Sequence, residues 1–348
     1  MSKHPAKYLA VFTLPILAYV SFNSYGWMTF LPIMEAFVLI PLLELLIKPD
    51  ASNLAEETEK EIARSRVYDY FVYGIVPIQF FLLGTFLLSM NDPNLTTVDI
   101  IGRLSAMGLM CGVYGINVAH ELGHRSKGYE QTMSKLLLMT SMYMHFFIEH
   151  NRGHHKRVST HEDPSSARYG ESLYSFWFRS TVFSYLSAWR LERKRLAKKG
   201  ISTFSFHNEM LRFQLIQLAF LTTIWYFFGP ITMLYFLGAA TMGFLLLETV
   251  NYIEHYGLTR EQKEKGYQRV MPRHSWNSDH VVGRIMLFEL SRHSDHHYLA
   301  SRKYQILRHM EDSPQMPTGY PGMMLLALVP PLWYNVMHNR LTTEHQPA

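Results

Sequence analysis

Residues 69–90 read DYFVYGIVPIQFFLLGTFLLSM, a run in which Asp69 is the only charged residue. A helix needs about 20 mostly apolar residues to cross a bilayer, so this run predicts a transmembrane helix. Five other runs have the same character and predict further spans: 8–25, 27–47, 98–119, 212–228 and 231–250. The sequence therefore predicts an all-α, polytopic membrane protein with six transmembrane helices.

The composition excludes an ordinary soluble domain. Of the 348 residues, 14% are aromatic, only 18% are charged and 20 are methionine, and the apolar residues are concentrated in the runs above. The single cysteine, Cys111, excludes a disulfide framework and any cysteine-based zinc, iron–sulfur or rubredoxin-type site within this sequence. The 18 histidines mean that a bound metal would be held by imidazoles.

The distribution of basic residues predicts the orientation. Residues 91–97 contain no Lys or Arg, whereas residues 150–200 hold 11 Lys and Arg against four Asp and Glu. By the positive-inside rule, both termini and the polar segments 120–210 and 251–348 face the cytoplasm. We therefore expect residues 1–348 to form one membrane-embedded domain of a bacterial-type inner membrane, with the two polar segments forming a helical cap.

A seventh apolar stretch, 133–148, does not fit this count. If it crossed the bilayer, the histidines on its two sides would be separated by the membrane, and the following basic segment would violate the charge rule. We expect it to be either re-entrant or interfacial.

Histidines cluster in four segments: His120-Glu-Leu-Gly-His124, His150-Asn-Arg-Gly-His154-His155, Asn251-Tyr-Ile-Glu-His255 and His293-Ser-Asp-His296-His297. Residues i and i+4 share a helix face, so each i, i+4 pair is predicted to chelate one ion, with His155 turned toward an adjacent position and His296 on the face of His293 and His297. The nine predicted ligands are His120, His124, His150, His154, His155, His255, His293, His296 and His297.

Nine imidazoles exceed the needs of one ion and predict two metal ions close together. Imidazole binds iron, zinc, copper or nickel; the number of histidines and the apolar surroundings favour redox iron. Other polar side chains beside the clusters are predicted to orient the ligands by hydrogen bonding rather than to bind metal. These are Glu121, Glu149, Glu254, Asp295, His145, His274 and His280.

Six motifs resemble those of the integral-membrane alkane 1-monooxygenases (alkane hydroxylases), a group of the histidine-box desaturase and hydroxylase superfamily. The motifs are HELGH (120–124), EHNRGHH (149–155), NYIEHYG (251–257), HSWNSDH (274–280), RHSDHH (292–297) and PTGYPG (317–322). NYIEHYG separates that family from the desaturases and sterol hydroxylases, which share only the looser histidine boxes. The resemblance extends from Arg64 to Met337.

The resemblance implies a non-haem di-iron centre, held by the nine histidines, that uses O₂ to convert medium- or long-chain n-alkanes to 1-alkanols. Electrons would come from an NAD(P)H-dependent rubredoxin reductase through a rubredoxin, which must be a separate protein because this sequence has one cysteine. Neither haem nor flavin is expected in this chain. An alkane has no polar group, so we expect an apolar tunnel, lined by spans one to four, to select the terminal carbon.

Three alternatives remain open. A related hydroxylase or desaturase would act on xylene-type aromatics or fatty acyl chains. An intramembrane zinc protease would use His120-Glu121-x-x-His124 but would leave seven of the nine histidines unused. A metal transporter would need its ligands along a path within the spans rather than at their ends.

A basic run follows the second histidine cluster and comprises Arg190, Arg193, Lys194, Arg195, Lys198 and Lys199. It predicts either a solvated helix face near anionic lipid headgroups or a docking site for an acidic redox partner. Nucleic-acid binding is excluded because the run forms no recognised motif and lies beside membrane spans.

Overall fold

The computed structural model describes residues 4–264 and 266–344, without the side chains of 342–344. The end of the predicted segment 251–348 thus lies outside the described residues. Five helical elements are long and apolar enough to cross a membrane. They are Pro5–Phe22, Gly26–Leu46, Val67–Ser89, Thr97–Gly123 and Glu209–His255.

The fifth element is a hairpin of two helices. Gly229 has φ 83° and ψ 169°, which no α-helix contains, and Pro230 follows it. The rings of Phe220 and Phe236 lie 5.6 Å apart, whereas 16 residues of straight helix would separate them by about 24 Å. The chain therefore folds back at Gly229, close to the predicted break between 212–228 and 231–250.

The remaining structure is also helical. Helices outside the apolar elements are Glu56–Arg64, Gly128–Met139, Phe146–Glu149, His155–Arg157, Leu173–Ala197, Val281–Met286, His293–Tyr298, Tyr320–Ala327 and Pro330–Glu344. Short 3₁₀ turns are formed by Pro272–His274 and Tyr304–Ile306, and two-residue strands Gln262–Lys263 and Gly266–Tyr267 pair antiparallel.

The stretch 133–148 is broken rather than continuous. One helix ends at Met139, the next begins at Phe146, and Met142 between them has φ 53°. Neither helix is long enough to span a bilayer. This agrees with a segment that does not cross the bilayer.

Buried polar contacts attach the C-terminal segment 256–344 to the apolar helices. The carboxylate of Glu289 accepts from Lys7 Nζ (2.6 Å) and Tyr8 Oη (2.7 Å) at the start of the first element. The amide of Gly283 donates to Glu44 Oε1 (2.8 Å) at the end of the second. These contacts fix the last histidine cluster over the ends of the apolar helices.

Candidate metal centre

The structure brings all nine predicted histidines together in two adjacent groups. Within each group, one ligand atom from every ring lies within 4.8 Å of the others. The five-histidine group contains His120, His124, His150, His155 and His296. The four-histidine group contains His154, His255, His293 and His297.

Two of the predicted pairings are wrong. His150 shares its group with His155 rather than with His154. The reason is that His150–His154 is a π-helical turn, whose wider winding brings residues i and i+5 to the same side. His296 also belongs to the other group from His293 and His297, so one short helix contributes to both groups. The predicted pair of His120 and His124 is observed.

The nitrogens of the five-histidine group have more close neighbours than hydrogen bonding can satisfy. Successive Nε2 atoms are separated by 3.0 Å (His124 to His150), 3.0 Å (His150 to His155), 3.1 Å (His155 to His296) and 2.9 Å (His296 to His120). A neutral imidazole nitrogen donates one hydrogen bond or accepts one. Three of these atoms have two such neighbours and cannot satisfy both, so the arrangement fits a shared cation.

The four-histidine group contains buried nitrogens that lack a hydrogen-bond partner within the described ranges. They are His154 Nε2, His255 Nδ1, His293 Nδ1 and both ring nitrogens of His297. An unpaired buried polar atom is costly, and a metal ion would satisfy the nitrogens that face into the group. The residues present therefore fit a histidine-bound, non-haem metal site.

Burial keeps most of these rings neutral. Desolvation, followed by repulsion from neighbouring imidazoles, lowers the pKa of His150, His155, His293, His296 and His297 well below the ordinary value. A metal-binding imidazole must be deprotonated. The rings are thus in the state that binds a metal at neutral pH.

His154 differs because it is paired with Asp163. Its Nδ1 lies 2.8 Å from Asp163 Oδ2, and both side chains are buried. Burial lowers the pKa of His154, but attraction and hydrogen bonding to Asp163 outweigh it, so that pKa is raised. The pair places the proton on Nδ1 and leaves Nε2 available to a metal, as histidine–carboxylate pairs commonly do. Sequence reasoning did not assign this role to Asp163.

Of the four carboxylates predicted to orient ligands, only Glu254 contacts an imidazole. Its Oε2 lies 3.1 Å from His293 Nε2, and its Oε1 accepts from Tyr320 Oη (2.7 Å). Glu149 instead accepts from Arg157 Nη2 (2.6 Å). Asp295 accepts from the amide of Arg308 (2.9 Å) and pairs with Arg302.

Glu121 also faces away from the histidines. It forms two hydrogen bonds with Arg125, at 3.0 Å and 2.5 Å. A zinc protease would need this carboxylate beside the metal to activate water. The geometry therefore argues against the protease alternative.

The three additional histidines do not join either group. His274 Nδ1 accepts from the amide of Met271 (2.9 Å), and His280 Nδ1 lies 3.0 Å from Ser278 Oγ. His145 packs against the rings of Tyr143 and Tyr185, and burial lowers its pKa to about 3.

An apolar cavity leads to both histidine groups. His120 and His150 of the five-histidine group and His293 of the four-histidine group are among its lining residues, together with Glu254. The rest of the wall is mostly aliphatic and aromatic, with Leu14, Phe37, Ile40, Leu109, Leu246 and Met286 among its residues. The cavity uses the first, second and fourth apolar elements and the second helix of the hairpin. We predicted that the third span also lines the tunnel, but none of the described residues that line the cavity belongs to that span.

The residues of the basic run differ in whether they are paired with a carboxylate or exposed. Arg195 forms two hydrogen bonds with the buried carboxylate of Glu192, at 2.7 Å and 2.6 Å. Arg190, Arg193, Lys194, Lys198 and Lys199 are exposed.

Comparison with known proteins gives consistent results. The fatty acid desaturase family matches residues 100–327. Alkane 1-monooxygenase 1 of Pseudomonas aeruginosa is 43% identical over 311 residues, which cover 88% of this chain and 81% of the relative. Alkane 1-monooxygenase 2 of Alcanivorax borkumensis is 40% identical over 319 residues (90% and 83%). The xylene/toluene monooxygenase hydroxylase component of Pseudomonas putida is 27% identical over 282 residues (79% and 75%).

Proposed function

Because the chain belongs to the alkane 1-monooxygenase family, an integral-membrane group within the fatty acid desaturase family, we propose that this monooxygenase converts medium- or long-chain n-alkanes to 1-alkanols. The observation that carries the proposal is an apolar cavity whose walls include residues of both histidine groups. A substrate without polar groups can be held there only by shape and dispersion contacts. The reaction consumes one alkane, O₂, two electrons and two protons, and gives one 1-alkanol and one water.

The metal in this proposal is iron, with one ion in each histidine group. Bound there, a di-iron centre would supply the redox chemistry that activates O₂, which no side chain of this protein can provide. The nine histidines would hold it, and the Asp163–His154 pair would orient one ligand.

Two polar side chains that line the cavity are held by the protein itself. Asn117 Nδ2 donates to the carbonyl of Leu287 (3.0 Å), and Asn251 Nδ2 lies 3.3 Å from Glu248 Oε2. Because these amide groups are already hydrogen-bonded within the protein, they do not interact with the end of the alkane. Glu254 also lines the cavity and has its Oε2 beside His293, and we assign it the role of holding a proton or a water there.

The arrangement in the cell follows from the same proposal. The six apolar helices cross the inner membrane, and both termini and the histidine groups face the cytoplasm, as the basic segment 150–200 indicates. Residues 1–348 act as one domain, and a separate rubredoxin with its NAD(P)H-dependent reductase supplies the electrons.

The test measures metal content and product together. Protein purified in detergent from iron-replete cells is analysed for metals, then assayed with rubredoxin, its reductase, NADH and a series of n-alkanes. We expect about two irons per chain and 1-alkanols by gas chromatography–mass spectrometry. His150→Ala removes a predicted ligand of the five-histidine group. The control is His161→Ala, which changes an exposed histidine outside both groups and should retain iron and activity.

Other results would point to a different function. One zinc and no hydroxylation would refute the proposal. Oxidation of xylene methyl groups without oxidation of alkanes would support an activity like that named for the Pseudomonas putida relative. An unsaturated fatty acyl product would identify a desaturase.

A further inference from the structure

The helix Leu173–Ala197, here called the surface helix, exposes an apolar stripe that the rest of the described chain contacts mainly at Tyr174, whose hydroxyl donates to the carbonyl of Leu328. Tyr174, Phe178, Val182 and Leu186 follow one another at four-residue steps and are all exposed; Phe178 is 74% exposed. Residues at this spacing lie on one helix face. The opposite face is buried, and its Ser187 lies 3.2 Å from Glu149 Oε1, next to the second histidine cluster.

Two exposed phenylalanines extend the stripe. Phe204 and Phe206 lie in the loop that follows the surface helix and are 91% and 77% exposed. Phe204 borders a groove whose other side is formed by Leu186, Arg190 and Arg193. Contiguous apolar surface of this kind marks an interaction site in a folded protein.

The position of this surface in the chain identifies what covers it. The loop leads directly into the apolar hairpin, whose first helix begins at Glu209. The exposed phenylalanines therefore lie within a few residues of the point where the chain enters the membrane. Aromatic residues are enriched at that depth, and an amphipathic helix beside a span lies in the interface with its apolar face toward the acyl chains.

The charge of the surface matches anionic lipid. The stripe continues past Leu186 to Arg190 and Lys194, and Arg193 lies beside them. Unlike Arg195, which pairs with Glu192, none of these three forms an ion pair with a carboxylate among the residues that the structure describes. Phosphate groups of anionic headgroups would neutralise them, a favourable interaction for each basic residue near the membrane surface.

We propose that the surface helix lies in the membrane interface and that the groove between Arg190, Arg193 and Phe204 binds the headgroup of an anionic phospholipid. The apolar stripe and the two phenylalanines would then be covered by lipid. The electron donor, a soluble protein, would dock elsewhere. This inference requires only that the apolar hairpin spans a membrane, and it does not depend on the reaction.

Spin labelling tests the position of the surface. Cys111 is buried, so a cysteine introduced by Phe204→Cys would be the only accessible thiol among the described residues. The labelled protein is reconstituted in bilayers, and collisions of the label with lipid-soluble O₂ and with a water-soluble nickel complex are compared. Leu218→Cys, at an exposed position of the apolar hairpin, gives the lipid reference. Lys263→Cys, at an exposed position of the two-residue strand Gln262–Lys263, gives the aqueous reference.

We expect the label at position 204 to behave like the lipid reference, with a severalfold higher ratio of O₂ to nickel collisions than at position 263. A ratio equal to that at position 263 would overturn the proposal and leave the surface to a soluble partner. Because Phe204 is 91% exposed, the substitution should not disturb folding.

Lipid retention tests the headgroup. Protein equilibrated in detergent with equal amounts of phosphatidylglycerol and phosphatidylcholine is examined by native mass spectrometry. The double variant Arg190→Glu/Arg193→Glu should retain at least about tenfold less phosphatidylglycerol, since each basic residue adds about 1 kcal/mol of attraction. Lys263→Glu, which changes an exposed charge elsewhere, should retain as much as the wild type. Equal retention by the double variant would refute the anionic lipid site.

Discussion

The two histidine groups differ in how their rings are held. In the five-histidine group the Nε2 atoms contact one another, and no carboxylate of the described residues bonds to a ring. In the four-histidine group Asp163 bonds to His154 and Glu254 contacts His293. The first group thus has one more imidazole and the second has negative charge. The difference suggests that two metal ions held here would be chemically unequal, with the four-histidine group depending more on its carboxylates.

Removing a ligand should have the largest effect and should separate the groups. His297→Ala leaves three histidines in its group, whereas His124→Ala leaves four. We expect His297→Ala to lose about one metal per chain and more than about 100-fold in kcat, beyond the range seen when outer partners are changed. His124→Ala should keep more of its metal. Metal analysis and turnover measure both effects. Equal losses in the two variants would contradict the inequality of the groups, and the reverse order would contradict its direction.

Asp163→Asn should have the next largest effect. The amide preserves size but removes the negative charge that holds the proton on His154 Nδ1. Partners of this kind contribute about 10- to 100-fold to metal affinity or activity. Titration with a chelator should show weaker binding of one of the two metal ions only. The control is Glu162→Gln, an exposed neighbour that should bind metal like the wild type; equal affinity in Asp163→Asn would show that the pair is not needed.

Glu254→Gln should have a smaller effect, about tenfold on turnover, near the lower limit for partners of metal ligands. It removes the carboxyl group beside His293, which can take up or release a proton, but keeps a hydrogen-bonding group of similar shape. Tyr320→Phe deletes the hydroxyl that bonds to the other oxygen and leaves the carboxylate in place. Tyr320→Phe should therefore lower turnover less than Glu254→Gln does. Equal losses would mean that the orientation of the Glu254 side chain matters rather than its ability to exchange a proton.

The apolar helices could be predicted from the sequence because their signal is long and local. The run 69–90 corresponds to a helix over Val67–Ser89, and 98–119 to one over Thr97–Gly123. The break at Gly229 was visible because glycine adopts a positive φ without steric cost and proline ends a helix. The four histidine clusters were equally visible, since their residues are close in sequence.

The partition of the histidines could not be predicted from spacing. His150 and His154 read as a pair on an α-helix, and only the π-helical turn sends them to different groups. That turn has no periodic signal in the sequence. The role of Asp163 was equally hidden, because its contact with His154 depends on how the loop between them folds. Local signals therefore predicted which histidines lie close together, and tertiary structure decides how they are divided.

His145, a buried histidine outside both groups, should give the smallest of the predicted effects. Its substitution tests how the stability of the protein depends on acid pH. Burial lowers the pKa of His145 to about 3, and its Nε2 has no hydrogen-bond partner among the described residues. The unfolded chain binds a proton near pH 6.5, whereas the folded protein does not until about pH 3. His145 therefore costs no stability above pH 6.5, and its cost grows as the pH falls from 6.5 toward 3. At pH 5.5 it should destabilise the fold by about 1 kcal/mol.

His145→Phe keeps an aromatic ring between Tyr143 and Tyr185 and removes the titration. Thermal unfolding in detergent should show a larger difference in unfolding temperature between wild type and variant at pH 5.5 than at pH 7.5. The variant should become more stable relative to the wild type as the pH falls. Protonation of the metal-site histidines destabilises both proteins, so it cancels in the difference. His161→Gln, at an exposed position, should leave the pH dependence unchanged. If His145→Phe leaves it unchanged as well, acid sensitivity arises within the two histidine groups and not from the histidine beside them.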